Sequence, residues 1–478
     1  MEPCPAPFNL AAYVLAHAER TPDKIALSIL SNGRSERWSY GRLAASVRAV
    51  GHGLLAADLA PGDHILLRLG NGVTFPLAFL GAIHVGLVPI PTSAQLTRPE
   101  LDGMLGTVTP VAQIVGPDLA TPSQPRRTLN QADLLSFVDG PEAAPVLGSP
   151  ERLAYLIFTS GTSGTPRAVA HAHRAVWARR MMFDGWYGLR PDDRLLHAGA
   201  LNWTFTLGTG LLDPWAMGAT ALIPKHGTDL AALPLLIQRH DATLFACAPG
   251  ILRKLLKAPQ QLSFPKLRHT LTAGEHLQPA LREAWEAATG RGLYDAYGMT
   301  ECSTFLSASP GGAPSLTPQP GRRVTLLKDG TIAIHRDEQG LMLGYWQDGA
   351  PSLPLTDDWF HTADFADWAE DGRIAYRGRR SDILNAGGYR ISPQEVEEVL
   401  VEHPAIEEAA LCELPTDGSS YLAACYVGEE VSEALLSAHL SERLARYKHP
   451  RAYLRLSALP RGPNGKLSRR ALPAYFEV

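Results

Sequence analysis

Between Phe158 and Arg167 the chain reads FTSGTSGTPR, ten residues that are almost all small and hydrogen-bonding. Gly161 and Gly164 let successive backbone N–H groups converge on one point. The hydroxyls of Thr159, Ser160, Thr162, Ser163 and Thr165 add donors, and Arg167 closes the run with a positive charge. Such a run can cradle a triphosphate. It does not end in the Gly-Lys-Ser/Thr of a Walker loop. A flexible linker has a similar composition, but this run follows the apolar strand AYLIF directly and leads into helix-forming HRAVWARRM, which is not where a linker sits.

A loop of that kind needs rigid elements on both sides. Short β-rich apolar runs (HILLRL, AYLIFT, ATALIP, ATLFACAP) alternate with helix-like runs (RPELDGMLGTV, PALREAWEAATG), the rhythm of βα units and parallel sheets. The most apolar stretch, Phe75 to Pro91, contains His84, two glycines and, toward its end, two prolines, so it reads as a buried helix leading into a strand and not as a membrane span. The Pro/Gly-rich segment from Ser309 to Gly321 reads as a surface connection. After Gly378 the texture changes to a charged turn, a glycine pair, the helix PQEVEEVLVEHP, a strand, another helix and a basic tail. A domain boundary is expected in the turn from Arg379 to Asp382, dividing the chain into 1–380 and 381–478.

The 478 residues are enough for two to four packed units of about 100 to 200 residues each. With 45% hydrophobic and 19% charged residues the chain has a globular composition throughout, and a net charge of −4 gives no field to hold nucleic acid or an acidic membrane. Five scattered cysteines without a CxxC pair read as reduced thiols in a cytoplasmic protein. The start, MEPCPAPFNLAAY, lacks the basic flank and apolar core of a signal peptide. His171 and His173 alternate as metal ligands on a strand can, but without a third ligand they read as structural. Glu397 and Glu398 read as a charged helix face.

The phosphate-type loop resembles the signature of the acyl-adenylate-forming superfamily, which includes acyl-CoA and aryl-CoA synthetases, peptide-synthetase adenylation domains and beetle luciferases. Further likenesses follow in that superfamily's order over roughly residues 35 to 470, with weaker ones at WSYGRLA and LAFLGAIHVGLVPIP. YGMTE resembles the motif in which Tyr297 lies against adenine, Thr300 reaches phosphate and Glu301 helps hold magnesium, beside Gly298 and Met299 of the acid pocket. TAGEH resembles the segment that places Ala273, Gly274 and Glu275 along adenine and the acyl group. In WFHTADFA, Asp364 stands where the superfamily holds both ribose hydroxyls, after Ala363 where glycine is usual. GRRSDILNAGGYRISPQEVE resembles the hinge: Arg379 would contact ribose or phosphate, and Gly387 and Gly388 would approach a pantetheine tunnel. Ser381 stands where aspartate or lysine is usual. In LPRGPNGKLSRRAL, Lys466 matches the lysine that bridges the attacking carboxylate and the α-phosphate. Arg167 is a departure too, since the loop normally ends in lysine.

The resemblance implies an α/β fold with a large N-terminal domain of βα-layered sheets, a small β subdomain and a small mobile α+β C-terminal domain. It implies an enzyme that uses ATP and Mg2+ to convert a carboxylic acid into an acyl-AMP and then passes the acyl group to coenzyme A. A phosphopantetheinyl carrier protein is the alternative acceptor, and the enzyme would act as a monomer or homodimer. The segment from His197 to Trp215 would build much of the acid pocket. Phe205 is followed by Thr206, where amino-acid-activating domains typically have aspartate, which disfavours an amino acid. Asn202, Trp203, Phe205, Met299 and Phe305 would form an apolar, partly aromatic pocket for an aryl ring or a short to medium acyl chain. The likeness of TAGE and GMTECSTF to benzoate-type CoA ligases favours aromatic acids.

Overall fold

The structure is a computed structural model describing residues 2–124, 126–159, 166–257, 262–310, 316–369, 372–379, 384–386, 389–416, 419–462 and 467–476. The chain divides into two compact units. The larger takes Met1–Leu277, Trp285–Val324 and Ile334–Phe360; the smaller takes Gln278–Ala284, Thr325–Ala333 and His361–Val478.

The larger unit is built on two sheets of βα origin and a third, antiparallel one. Six strands of a nine-stranded sheet run parallel, in the order Gly292–Met299, His269–Ala273, Leu244–Cys247, Arg194–His197, Thr220–Pro224 and Ile25–Leu30. Antiparallel strands flank it at both edges, Ser303–Ser307 and Thr317–Pro318 at one and Glu36–Ser39 at the other. The second sheet is parallel, ordered Val88–Pro91, His64–Arg68, Ala112–Val115, Arg127–Asn130. The third is antiparallel, ordered Ala350–Ser352, Gly344–Gln347, Arg167–Ala172, Leu153–Thr159.

The expected runs form these elements because their patterning suits both faces. LFAC and TALIP are apolar at consecutive positions and buried throughout, as strands covered by helices on both sides must be. Phe75 to Pro91 becomes a wholly buried helix, Thr74–His84, followed by the strand Val88–Pro91. The helix Arg98–Leu105 starts at a capping box, in which the Glu100 carboxylate accepts the Thr97 N–H at 2.7 Å, with Pro99 in its first turn. HRAVWARRM gives less helix than its composition suggests: Ala175–Ala178 is α-helical, and a short π-helix follows at Phe183–Tyr187. No helix among the described residues is long and apolar enough to cross a membrane.

In the smaller unit a long antiparallel pair, Ile406–Thr416 with Ser419–Gly428, adds the parallel strand Ala452–Arg455 and packs against the helices Pro393–Val401 and Glu433–Ser441. The unit thus mixes α and β in the way the resemblance implies. Here one sequence reading is corrected. Glu397, placed above on a charged helix face, is buried. Ile406–Thr416 is an edge strand whose outward backbone groups need partners. Glu397 accepts the Leu411 N–H at 2.6 Å and pairs with Arg469, which donates to the Leu411 carbonyl at 2.7 Å. A side-chain ion pair thus satisfies both backbone groups of Leu411 on that edge strand.

Candidate active site

In an open parallel sheet the strands' carboxyl ends gather the functional loops. At that end of the nine-stranded sheet, Ala273 pairs with Ala296 on neighbouring strands, so TAGE and YGMTE emerge side by side. Gly274 takes φ of +93°, and a Cβ there would lie 2.5 Å from the Trp203 indole. Glycine is therefore required twice over, by backbone angle and by the ring that covers it. Glu275 pairs with Arg253 at 3.0 Å, both side chains largely buried.

YGMTE ends the strand Gly292–Met299 and turns into Ser303–Ser307 through a tight connection in which Ser303 has φ of +61°. At Gly298 a Cβ would come within 2.5 Å of the Ser303 carbonyl oxygen, so only glycine allows so close a return. Tyr297 is braced from behind by the fully buried Phe305, ring centroids 5.2 Å apart and edge to face. Thr300 lies in the turn, and Glu301 is buried with its Oε1 accepting a hydrogen bond from Tyr345 Oη at 2.9 Å.

The two ends of the phosphate-type run lie on an antiparallel pair of strands. Thr159 and Arg167 are register partners on its two strands. Ser160, Gly161, Thr162, Ser163, Gly164 and Thr165 lie outside the described residues, as do Ser381, Gly387, Gly388 and Lys466. The Arg167 guanidinium stacks over the Tyr345 ring, 4.1 Å from its centroid. Sequence reading missed Tyr345; the only signal was its place in a strand that turns out to pair with the one leaving the loop.

In the segment given to the acid pocket, Trp203 and Phe205 meet edge to face at 5.2 Å and share an apolar cluster with Trp186, Ala273 and Ala296. Asn202, Met299 and Gly298 are half-buried. From Thr206 to Leu212 the chain forms a π-helix. Behind it lies a polar network that sequence reading also missed. Arg179 grips Asp213 bidentately, with Nε to Oδ1 and Nη2 to Oδ2 both 2.7 Å, and donates to Ser303 Oγ; Tyr187 Oη donates to Asp213 Oδ2 at 2.5 Å. Three separated pieces of the site wall are thereby joined.

Burial keeps several nearby imidazoles neutral. The His197 and His173 rings are pushed down to about 3 chiefly by desolvation, with the neighbouring Arg179 and Arg152 charges respectively adding to it. Each Nδ1 accepts a backbone N–H at 3.0 Å, His197 from Gly199 and His173 from Leu10. A protonated ring could not accept those bonds.

In the smaller unit, Asp364 and Arg379 are register partners on the antiparallel strands Trp359–Trp368 and Ile374–Arg379. Arg379 Nε and Tyr376 Oη both donate to Asp364 Oδ1, at 3.1 and 3.0 Å. The carboxylate is buried while the Arg379 side chain is 41% exposed.

The family profile described as AMP-binding enzyme matches residues 14–346, and that of the AMP-binding enzyme C-terminal domain matches residues 395–466. The chain belongs to the AMP-binding enzyme family. The family's two parts follow the order seen here, the larger sheet-bearing region first. Among its relatives, the 3-hydroxybenzoate–CoA ligase of Aromatoleum sp. (strain CIB) is 27% identical, covering 91% of each chain. The benzoate–CoA ligase of Thauera aromatica is 28% identical, covering 90% of each. The crystal structure of a benzoate CoA ligase from Burkholderia xenovorans LB400 superposes with a TM-score of 0.88 at 26% identity, covering 98% of this chain and 100% of that one.

Proposed function

We propose that the protein is an ATP-dependent carboxylic acid:CoA ligase, converting acid and ATP to acyl-AMP and pyrophosphate and then acyl-AMP and coenzyme A to acyl-CoA and AMP. Its favoured acids are aromatic, with short to medium chains as the next class. The observation that carries this reading is the apolar wall at the sheet's carboxyl end, where Trp203 and Phe205 pack with Ala273 and Ala296 beside the YGMTE turn. Such a wall accepts an uncharged ring or chain and offers no fixed charge to an amino group.

Tyr297, braced by Phe305, presents an aromatic face to adenine, and Asp364 with Arg379 takes the ribose hydroxyls and adjoining phosphate. The loop from Thr159 to Arg167 receives the β and γ phosphates. Glu301 suits Mg2+, because that ion is commonly held by one or two carboxylates together with substrate phosphates, and the Oε1 of Glu301 is already oriented by the Tyr345 hydroxyl. Bound there, the ion would neutralise phosphate charge. Lys466 brings the carboxylate to the α-phosphorus, so the first step is positioning and electrostatics without a covalent protein nucleophile.

The boundary between the AMP-binding and mobile domains is assigned to 380/381, with Ser381 at the pivot and Gly387 and Gly388 beside the thiol path. Rotation there would withdraw Lys466 and admit the thiol. The five cysteines are all unpaired, which suits a cytoplasmic protein; the family likeness suggests a monomer or homodimer.

The test is ATP-dependent pyrophosphate release over a panel of aryl, short-chain and medium-chain acids, with and without coenzyme A. The expected result is a single burst without coenzyme A and sustained turnover with it, best for benzoate-class acids. Release that ignores coenzyme A but is sustained by a pantetheinylated carrier domain would transfer the assignment to a carrier-loading enzyme.

A further inference from the structure

The Glu301 carboxylate is held from a strand remote in sequence. Its backbone carbonyl accepts the Met342 N–H at 2.7 Å, and its side chain accepts the Tyr345 hydroxyl at 2.9 Å. The segment that provides both donors is itself fixed to the strand leaving the phosphate-type loop: the Leu343 N–H bonds the Ala170 carbonyl at 2.8 Å, and Tyr345 is in register with Val169. Two residues before Val169 stands Arg167, whose guanidinium lies on the Tyr345 ring and whose Nε is buried without a hydrogen-bond partner among the described residues. A guanidinium pressed face-on to an aromatic ring is held by the ring's quadrupole and in turn fixes that ring's tilt. Tyr345 is itself 7% exposed and Glu301 6% exposed, so neither group has solvent to compete for the contact.

We propose that Tyr345 is a positioning residue for Glu301, and that Arg167, the departure from lysine at the end of the loop, acts by clamping the Tyr345 ring. The hydroxyl occupies Oε1 and sets the plane of the carboxylate, leaving the other oxygen for a cation. A partner of this kind, hydrogen-bonded to a metal-binding carboxylate, orients it without touching the metal. The inference rests on the reading of Glu301 as the magnesium carboxylate, and goes beyond it by tying the loop's terminal cation to that carboxylate through a ring.

The experiment follows Mn2+ binding to the full-length enzyme saturated with the non-hydrolysable analogue α,β-methylene-ATP, by electron paramagnetic resonance. Variants are Tyr345→Phe, Arg167→Met, their double, and Glu301→Gln. Tyr345→Phe keeps the stacked ring and loses only the hydroxyl. It should weaken Mn2+ binding by about tenfold, while the KM for the acid at saturating Mg2+ changes by less than about twofold. Arg167→Met should weaken Mn2+ binding by about threefold, and the double variant should match Tyr345→Phe, because two residues acting through one contact are not additive. Normal Mn2+ affinity in Tyr345→Phe together with a loss in Glu301→Gln would overturn the positioning role and leave the Glu301 assignment standing. Normal affinity in Glu301→Gln as well would overturn both. Fully additive losses in the double variant would return Arg167 to a direct phosphate contact and overturn the clamp.

Discussion

Two arginine–aspartate pairs of nearly equal length sit in very different parts of the molecule. Arg179–Asp213, in the larger unit, is 2.7 Å long with side chains 7% and 0% exposed. Arg377–Asp367, on the hairpin of the smaller unit, is also 2.7 Å long with side chains 49% and 62% exposed. Distance alone makes them equivalents; surroundings decide otherwise. In the first, the guanidinium is shared among Asp213, Thr209 and Ser303, so removing one partner strands a buried charge. In the second, water replaces whatever is lost. Arg379–Asp364, two residues along the same hairpin, lies between them: a buried carboxylate facing a half-exposed cation. That mixed arrangement suits exchange, since the arginine can release the carboxylate to another ligand without itself leaving solvent.

The contrast can be broken by measurement. Asp213→Asn should cost about 3–5 kcal/mol of unfolding free energy in a denaturant titration, because a buried cation loses its counter-charge. A cost below about 1 kcal/mol would mean that the network is dispensable. Asp364→Asn tests the intermediate pair. The kcat/KM for ATP should fall by about 10- to 100-fold, the worth of a charged hydrogen bond, and 2′-deoxy-ATP should lose its disadvantage against ATP. Undiminished discrimination by the variant would remove Asp364 from the ribose site.

Acid supplies the next test of the larger unit's interior. An unfolded histidine takes its proton near pH 6.5, whereas His171, His173 and His197 resist protonation down to about 3. Their contribution is complete above pH 6.5 and is lost as pH falls towards 3, since only the unfolded chain binds those protons in between. Unfolding free energy should drop by about 1.4 kcal/mol per pH unit for each such ring over that window. Replacing His173 by Gln, which can still offer an acceptor to Leu10, should flatten the slope by one ring's share; an unchanged slope would take His173 out of the account. The smallest effect belongs to the exposed pair: Arg377→Ala should shift stability by no more than about 0.5 kcal/mol in the same titration.

What could be read from the sequence follows the range of the interactions involved. The βα rhythm and the buried helix Thr74–His84 are local features, set by patterning within a few residues, and they fold as expected. Glu397 was misplaced because its partners, Leu411 and Arg469, are 14 and 72 residues away. Tyr345 escaped notice for the same reason: it reaches Glu301 across 44 residues, and nothing in GYW announces a hydroxyl aimed at a carboxylate. Asp213, set among apolar residues in GLLDPW, would have looked like a helix start. Only the fold brings Arg179 to it.

The π-helical turn at Thr206–Leu212 carries one residue more per turn than an α-helix would over the same height. Such a turn behaves like an insertion absorbed in place, and deleting a residue from it would relax the segment to ordinary pitch. Because the extra residue is taken up within the turn, the segments on either side of it would stay close to the faces they occupy. Trp203 and Phe205 would stay at the wall they form, and Asp213, beyond the turn, would keep its grip on Arg179. The π-turn is therefore a joint at which the chain can gain or lose one residue while the wall before it and the anchor after it both keep their places.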